Sequence, residues 1–132
     1  MVKFTLNHHL TIAVWQVLAA KQVKGRAEIR KHSRAFAALK KGACVHTPEI
    51  PEEKDETGKV TKPVTPEVYD RKGGEVQMGP EIFKYLTTCV NEHIDTQGVR
   101  GEWVHHFDEL CGILDAAQKA HDEEEEKKEK AA

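Results

Sequence analysis

Long apolar runs and export features are missing from this sequence. The longest apolar stretch, around residues 12–20, is interrupted by Gln16 and is too short to cross a bilayer. The segment before it contains Asn7, His8 and His9, and it lacks the small-residue cleavage pattern of a secretory signal peptide. We therefore expect no membrane segment and a cytoplasmic location.

Cysteine and aromatic residues are scarce. Three cysteines, Cys44, Cys89 and Cys111, are an odd number without the spacing of a disulfide framework, so we expect free thiols in a reducing compartment. Aromatic residues make up 6% of the 132 residues, against 32% charged and 39% apolar, which favours one globular domain with a modest core. The formal net charge of -2 provides no global field for nucleic acid, and we do not expect that partner.

Catalytic signatures are also absent. The sequence contains no G-x-S-x-G, no C-x-x-C, no H-E-x-x-H and no glycine-rich phosphate loop. His32 and Ser33 are only neighbours along the chain, with no third group to complete a set of catalytic roles. We expect that the protein is not an enzyme and uses no cofactor.

Four segments have the apolar periodicity of amphipathic helices. The first is predicted over residues 5–23 with a cap from Thr5 or Asn7, and the second over 26–41 after a turn at Gly25. The third opens at Pro80 and the fourth near Arg100. The predicted buried positions are, in order, Leu10, Val14, Val17 and Leu18; Ile29, Phe36 and Leu39; Ile82, Phe83, Leu86, Val90 and Ile94; Trp103, Phe107, Leu110, Leu114 and Ala117.

The middle of the chain has little to bury. Residues 43–66 carry prolines and an acidic run, which predicts an exposed charged loop. Residues 67–78 predict a β-hairpin, with strands at 67–69 and 75–78 around a glycine turn. The predicted fold is therefore mainly α, with two helical hairpins flanking a small inserted β-hairpin. We expect a single domain over 1–121 and a charged tail over 122–132 that extends the last helix.

One face of the second helix is strongly basic. At about 100° per residue, Arg26, Arg30, Arg34 and Lys41 fall on a narrow ridge away from the predicted buried positions. Guanidinium groups at this spacing suit phosphates or carboxylates. Either the ridge binds an anionic ligand or partner, or it is a solvated face.

Histidine is abundant, with eight residues, so a metal site is considered. Cys89 and His93 are four apart on the third helix and share a face. His106 and Cys111 lie on the following helix, and these four side chains are of the types that zinc accepts. The alternative is that the thiols are ordinary core residues.

The order of these parts is marked by six short fragments: Lys3-Phe4-Thr5-Leu6, Lys24-Gly25-Arg26-Ala27, Asp55-Glu56-Thr57-Gly58-Lys59, Glu75-Val76-Gln77-Met78, Arg100-Gly101-Glu102-Trp103 and Asp108-Glu109-Leu110-Cys111. The layout resembles the small uncharacterised helical proteins encoded by tailed bacteriophages and prophages. The resemblance implies an accessory or assembly-associated protein that acts by binding, in the host cytoplasm, and it implies no catalytic residue.

Three functional hypotheses follow. The first is an interaction protein that forms a homo-oligomer or binds a protein partner through complementary charged segments. The second is a protein that binds or sequesters a phosphate-bearing nucleotide on the arginine ridge. The third is a zinc-stabilised binding module, which would lose stability when a chelator is added.

Overall fold

Helices dominate the computed structural model, which describes residues 1–131. The four helices are α1 (His8–Ala20), α2 (Arg26–Ala43), α3 (Pro80–Thr96) and α4 (Trp103–Ala131). The strands are β1 (Val2–Leu6), β2 (Val45–Thr47), β3 (Glu53–Lys54), β4 (Val60–Lys62), β5 (Val68–Asp70) and β6 (Gly74–Met78). The fold is mainly α with small two-stranded sheets, in agreement with the sequence-based prediction.

Local capping explains where the helices begin. The side chain of Asn7 accepts a hydrogen bond from the backbone N–H of Leu10 at 2.9 Å and caps α1. Gly25, with φ of 87°, precedes α2, and Pro80 occupies the first turn of α3. The predicted start of the first helix at residue 5 is wrong, because residues 2–6 alternate buried and exposed with the period of a strand.

An antiparallel pair, β1 and β6, lies among the helices. Phe4 lies opposite Val76, and Val2 lies opposite Met78. Their side chains and that of Leu6 are buried on one face of the pair. Helix α2 packs against β6, and α4 packs against β1. The pair therefore joins the N-terminus to the middle of the chain and supports helices from both halves.

The helices complete the core largely at the predicted positions. The buried residues of α1, α3 and α4 include Leu10, Val14, Val17, Leu18, Phe83, Leu86, Cys89, Val90, Phe107, Leu110, Leu114 and Ala117. The prediction for α2 is partly wrong, because Ile29 is 54% exposed and the buried positions are Ala35, Leu39 and Ala43. Small residues face inward there because the end of α2 approaches the backbone of β6 closely.

The predicted β-hairpin at 67–78 is not formed. Strand β5 pairs with β2, whereas β6 pairs with β1. Gly73 and Gly74 have φ of 102° and 156° and redirect the chain instead of closing a turn between the two strands. The physical reason is apolar content, since β6 supplies buried Val76 and Met78 to the core and β5 supplies no fully buried residue.

Residues 45–70, which we call the arm, form an antiparallel ribbon. The predicted loop at 43–66 is exposed only from residue 45 onward, because Ala43 is the buried last residue of α2 and Cys44 is half-buried. Residues 45–66 contain strands and belong to this ribbon. The pairs Val45–Asp70, Ile50–Thr65 and Glu53–Lys62 keep one register, with a shift only next to the tip. Four prolines at 48, 51, 63 and 66 interrupt the ladder because proline has no N–H to donate.

The tip of the arm is held by local hydrogen bonds. Backbone N–H groups of Thr57 and Lys59 donate to the carboxylate of Asp55 at 2.9 and 3.0 Å. The hydroxyl of Thr57 also donates to it, and these bonds lower the pKa of Asp55. Gly58, with φ of 83°, completes the turn.

The charged tail is helical as far as Ala131, where α4 ends, and Ala132 lies outside the described residues. Pairs spaced four apart, such as Lys128 with Glu124 at 3.7 Å and Lys130 with Glu126 at 3.5 Å, support the last turns. Within residues 1–131, the structure contains no helix that combines the length and the apolarity needed to cross a membrane.

Gly42 allows the end of α2 to cross β6. A Cβ atom at this position would lie 2.3 Å from the carbonyl oxygen of Glu75 and 2.9 Å from the Cα of Val76. Both atoms belong to the backbone, so the contact cannot be relieved by a change of rotamer. Replacing Gly42 with Ala should lower the free energy of unfolding by about 1–3 kcal/mol, the usual cost of overpacking, as measured by urea denaturation.

The matched control is Gly112→Ala on α4. A Cβ there meets nothing within 4 Å. This substitution should raise the free energy of unfolding by about 0.5–1 kcal/mol because alanine favours the helix. Equal effects at the two positions would contradict the close approach of α2 and β6.

Candidate functional site

The root of the arm is attached to the helices by cations and aromatic rings. The ammonium of Lys40 on α2 lies 4.8 Å from the ring centre of Phe36, 4.7 Å from that of Tyr69 and 5.6 Å from that of Trp15. The guanidinium of Arg71 lies 4.1 Å from the Trp15 ring. These five half-buried side chains, which we call the anchor, connect α1, α2 and the arm by cation–π contacts.

Polar contacts extend the anchor along the arm. The ring of His46 stacks on Tyr69 at 4.6 Å between centres, and its Nε2 is 2.7 Å from a carboxylate oxygen of Glu67. Hydrogen bonds from Tyr69 and His46 lower the pKa of Glu67. On the other side of the anchor, Nδ1 of His8 lies 2.6 Å from the carbonyl oxygen of Arg71. One face of the arm root is therefore directed toward the helices.

The opposite face of the arm lies away from the anchor rings, and at the root its residues Thr47 and Val68 line the same cleft as His8 and Ile12 of α1. Side chains alternate along a strand, so Val45 and Val68 lie on the face opposite to His46 and Tyr69. Thr65 pairs with Ile50, and by the same alternation the next residue, Val64, lies on the face of Val45 and Val68. These three valines are 44–49% exposed, and residues 45–68 contain no buried or half-buried position. An aliphatic row this exposed on a projecting ribbon is typical of a contact surface.

The arm is also strongly acidic. It carries seven acidic residues against three lysines. Its ion pairs are local and exposed, such as Glu53 with Lys62 at 3.6 Å and Glu52 with Lys54 at 3.4 Å. Pairs of this kind contribute little stability. Because acidic residues outnumber lysines, the surface of the arm carries a net negative charge.

The basic ridge of α2 is solvent-exposed along its whole length. Arg26, Arg30, Arg34 and Lys41 are all exposed, and none forms an ion pair with another residue in 1–131. Exposed Ile29 and the small residues Ser33 and Ala37 lie between or beside them. The ridge is convex, and none of the clefts lined by Lys21, by Ile12 or by Ala117 includes it.

The four metal candidates are not brought together. Cys89 and His93 line a cleft between α1 and α3, and the ring of His93 stacks on Phe107. The ring of His106 stacks on His9, with 4.6 Å between the ring centres. Among residues 1–131, no three His, Cys, Asp or Glu side chains are placed to hold a metal ion. The side chains on α3 and those on α4 point into different environments. The spacing of these residues along the sequence does not show this separation.

The cleft beside Cys89, of about 520 Å³, is lined in part by polar side chains that contact one another. The ammonium of Lys21 lies 2.6 Å from Glu92 and 3.5 Å from Glu28, and the hydrogen bond to Glu92 raises the pKa of Lys21. Nearby, the hydroxyl of Tyr85 is 2.9 Å from Nδ1 of His32. These polar groups are therefore already paired with one another by hydrogen bonds and ion pairs.

The anchor residues were not identified as functional from the sequence. The predicted buried positions of the first helix do not include Trp15, and the basic ridge of the second helix does not include Lys40. Tyr69 is an aromatic residue in an otherwise acidic segment, and that signal marks the side of the arm that contacts the helices. The identity of its partner rings depends on the tertiary structure.

The anchor can be tested with Lys40→Met, which removes the ammonium and keeps an aliphatic stem. The free energy of unfolding should fall by about 1–2 kcal/mol, the range of partly desolvated cation–π contacts, as measured by urea denaturation. A Glu-specific protease should also cleave the arm faster, as followed by mass spectrometry. Exposed Lys84 on α3 provides the control, since Lys84→Met should change neither result. Unchanged cleavage in Lys40→Met would mean that Lys40 does not hold the arm.

The thiols provide a second test. Burial raises the pKa of Cys44, Cys89 and Cys111, so the reactive thiolate is less populated near neutral pH. At pH 8, DTNB should react with all three thiols more slowly in the native protein than in the same protein in urea. A native thiol that reacts at the unfolded rate would contradict its placement.

Comparison with known proteins gives no relative for this chain: no family model, no curated protein and no solved structure matches it.

Proposed function

We propose that this chain is a non-enzymatic interaction protein that self-associates through its arm. The observation that carries the proposal is the outward face of the arm, where Val45, Val64 and Val68 are exposed on an extended ribbon. Isolated two-stranded ribbons are marginally stable in water. A second chain that covers these valines would stabilise the ribbon as well as bind it.

The construction of the molecule supports this function. In this proposal the helices form two hairpins, α1–α2 and α3–α4, which together make up the helical part of the molecule. The anchor attaches the root of the arm to these helices. Anchoring lowers the entropy that the arm loses on binding. The layout resembles small helical phage proteins, so we assign the chain to the accessory or assembly-associated proteins of that group, acting in the host cytoplasm.

A second candidate is the sequestration of a phosphate-bearing nucleotide. The four unpaired cations of the ridge favour this function, since arginine pairs readily with phosphate. The convex shape of the ridge favours it less, because small ligands bind in concave sites. Two copies would have to enclose the nucleotide.

The proposal predicts that the mass measured by light scattering after size exclusion rises with protein concentration. Val64→Thr with Val68→Thr keeps the β-branched shape and replaces two exposed methyl groups by hydroxyls. The double variant should weaken self-association by at least tenfold, because each contact loses two methyl groups and each buried methyl group contributes about 0.8 kcal/mol.

Val104→Thr is the control, since Val104 is 54% exposed on α4, away from the arm. It should leave the assembly unchanged. A wild-type protein that stays monomeric at all concentrations would contradict the proposal. A monomer whose melting temperature rises with nucleotide, and loses that rise in Arg30→Ala and Arg34→Ala, would support sequestration instead.

A further inference from the structure

The arm and the ridge have opposite charge, and neither neutralises the other within one chain. Glu49 and Glu56 of the arm form no ion pair with any residue in 1–131, and the same holds for the four ridge cations. The arm leaves α2 just after its last residue, Ala43, while the ridge runs back toward Arg26. The arm contacts α2 near the end of the helix, through Lys40 and Tyr69, and within residues 1–131 no ion pair joins the ridge to the arm, so both surfaces are free for a second copy.

The dimensions of the two surfaces agree. From Val45 to Lys54 the arm extends about 30 Å at the usual rise of 3.3 Å per residue. The ridge from Arg26 to Lys41 extends about 22 Å at 1.5 Å per residue. A single arm can therefore follow the whole ridge.

The apolar parts of the two surfaces also correspond. The arm has the valine row on its outward face, with Glu49 on the same face by alternation. The ridge has exposed Ile29 at one side and Ala37 near its middle, where a small side chain permits close approach. Valine can contact these residues while the carboxylates reach the guanidinium groups.

Other occupants are less compatible with the arm. Two arms pairing edge to edge would need continuous backbone donors, and the prolines at 48, 51, 63 and 66 remove four of them. The acidic charge of the arm opposes contact with nucleic acid phosphates. A basic, partly apolar helix face fits the arm, and α2 presents such a face on the same chain.

We infer that the outward face of the arm in one copy lies along the basic ridge of α2 in a second copy. The inference rests on the self-association proposed above and names the surface that the arm contacts. Because each copy carries both surfaces, two copies related by a twofold axis make two identical contacts and close the assembly as a dimer. Since both surfaces are charged and exposed, the contact weakens as salt is added.

Charge reversal tests this pairing. One variant carries Arg30→Glu and Arg34→Glu, and the other carries Glu49→Lys and Glu56→Lys. Each variant alone brings like charges together and should self-associate about a hundredfold more weakly than wild type. An equimolar mixture should restore the dimer, because each contact then joins opposite charges. Light scattering gives the mass, and native mass spectrometry identifies the heterodimer.

Two controls separate the outcomes. Lys84→Glu with Lys119→Glu reverses two exposed charges outside the ridge and should leave the wild-type dimer intact. Circular dichroism of every variant reports whether the fold is kept. A variant that remains folded and dimerises like wild type would overturn the arm–ridge pairing while leaving self-association in place. A monomeric wild type would overturn the proposed function itself.

The acidic end of α4 is the competing occupant of the ridge. A third variant, Glu123→Lys with Glu126→Lys, is mixed with the ridge-reversed protein. Recovery of the dimer in this mixture, and not with the arm-reversed protein, would overturn the inference and assign the ridge to α4. Recovery only with the arm-reversed protein is the expected result.

Discussion

The pairing of β1 with β6 is the interaction on which the rest of the structure depends. It brings residues 2–6 against residues 74–78 and places Phe4 against Phe83 of α3, with 5.6 Å between ring centres. Because α2 packs on β6 and α4 on β1, the pair determines how the second and last helices are arranged. The absence of a side chain at Gly42 is what allows α2 to approach that closely.

The same arrangement positions the arm. Strand β6 begins directly after the arm returns, at Gly73 and Gly74, so the root of the arm is held by the core on one side. Lys40, which lies one turn before the end of α2, holds it on the other side through Tyr69 and Phe36. An irregular, proline-rich ribbon is in this way attached at its root, although it buries no residue between positions 45 and 68.

Charge is distributed unevenly on this nearly neutral chain. The formal net charge of -2 combines an acidic arm, a basic helix face and a mixed helical tail. Exposed charges close to partners of their own chain contribute little to stability. Charges without such partners affect association instead, and in our proposal they select the second copy. The prolines of the arm also restrict which partner can bind, because they hinder edge-to-edge pairing with another strand.

The sequence by itself determined the helices and much of the core. Helical periodicity identified four helices, and Asn7, Gly25 and Pro80 marked where three of them begin. The ridge was also predictable, since a repeat of four residues places Arg26, Arg30 and Arg34 on one face whatever surrounds the helix. These features depend on neighbours close along the chain.

Only the tertiary structure decided which strands pair and which side chains meet. Strands β5 and β6 are adjacent in sequence, but their partner residues lie 21–25 and 68–76 positions away. The pairing of each strand depends on which of its apolar side chains are buried against the helices. The positions of those helices cannot be read from the residues next to the strand. The anchor and the dispersed cysteine and histidine residues follow the same rule, because their contacts arise between elements. Local sequence patterns specify helices and faces, whereas the packing of the whole chain specifies contacts between distant residues.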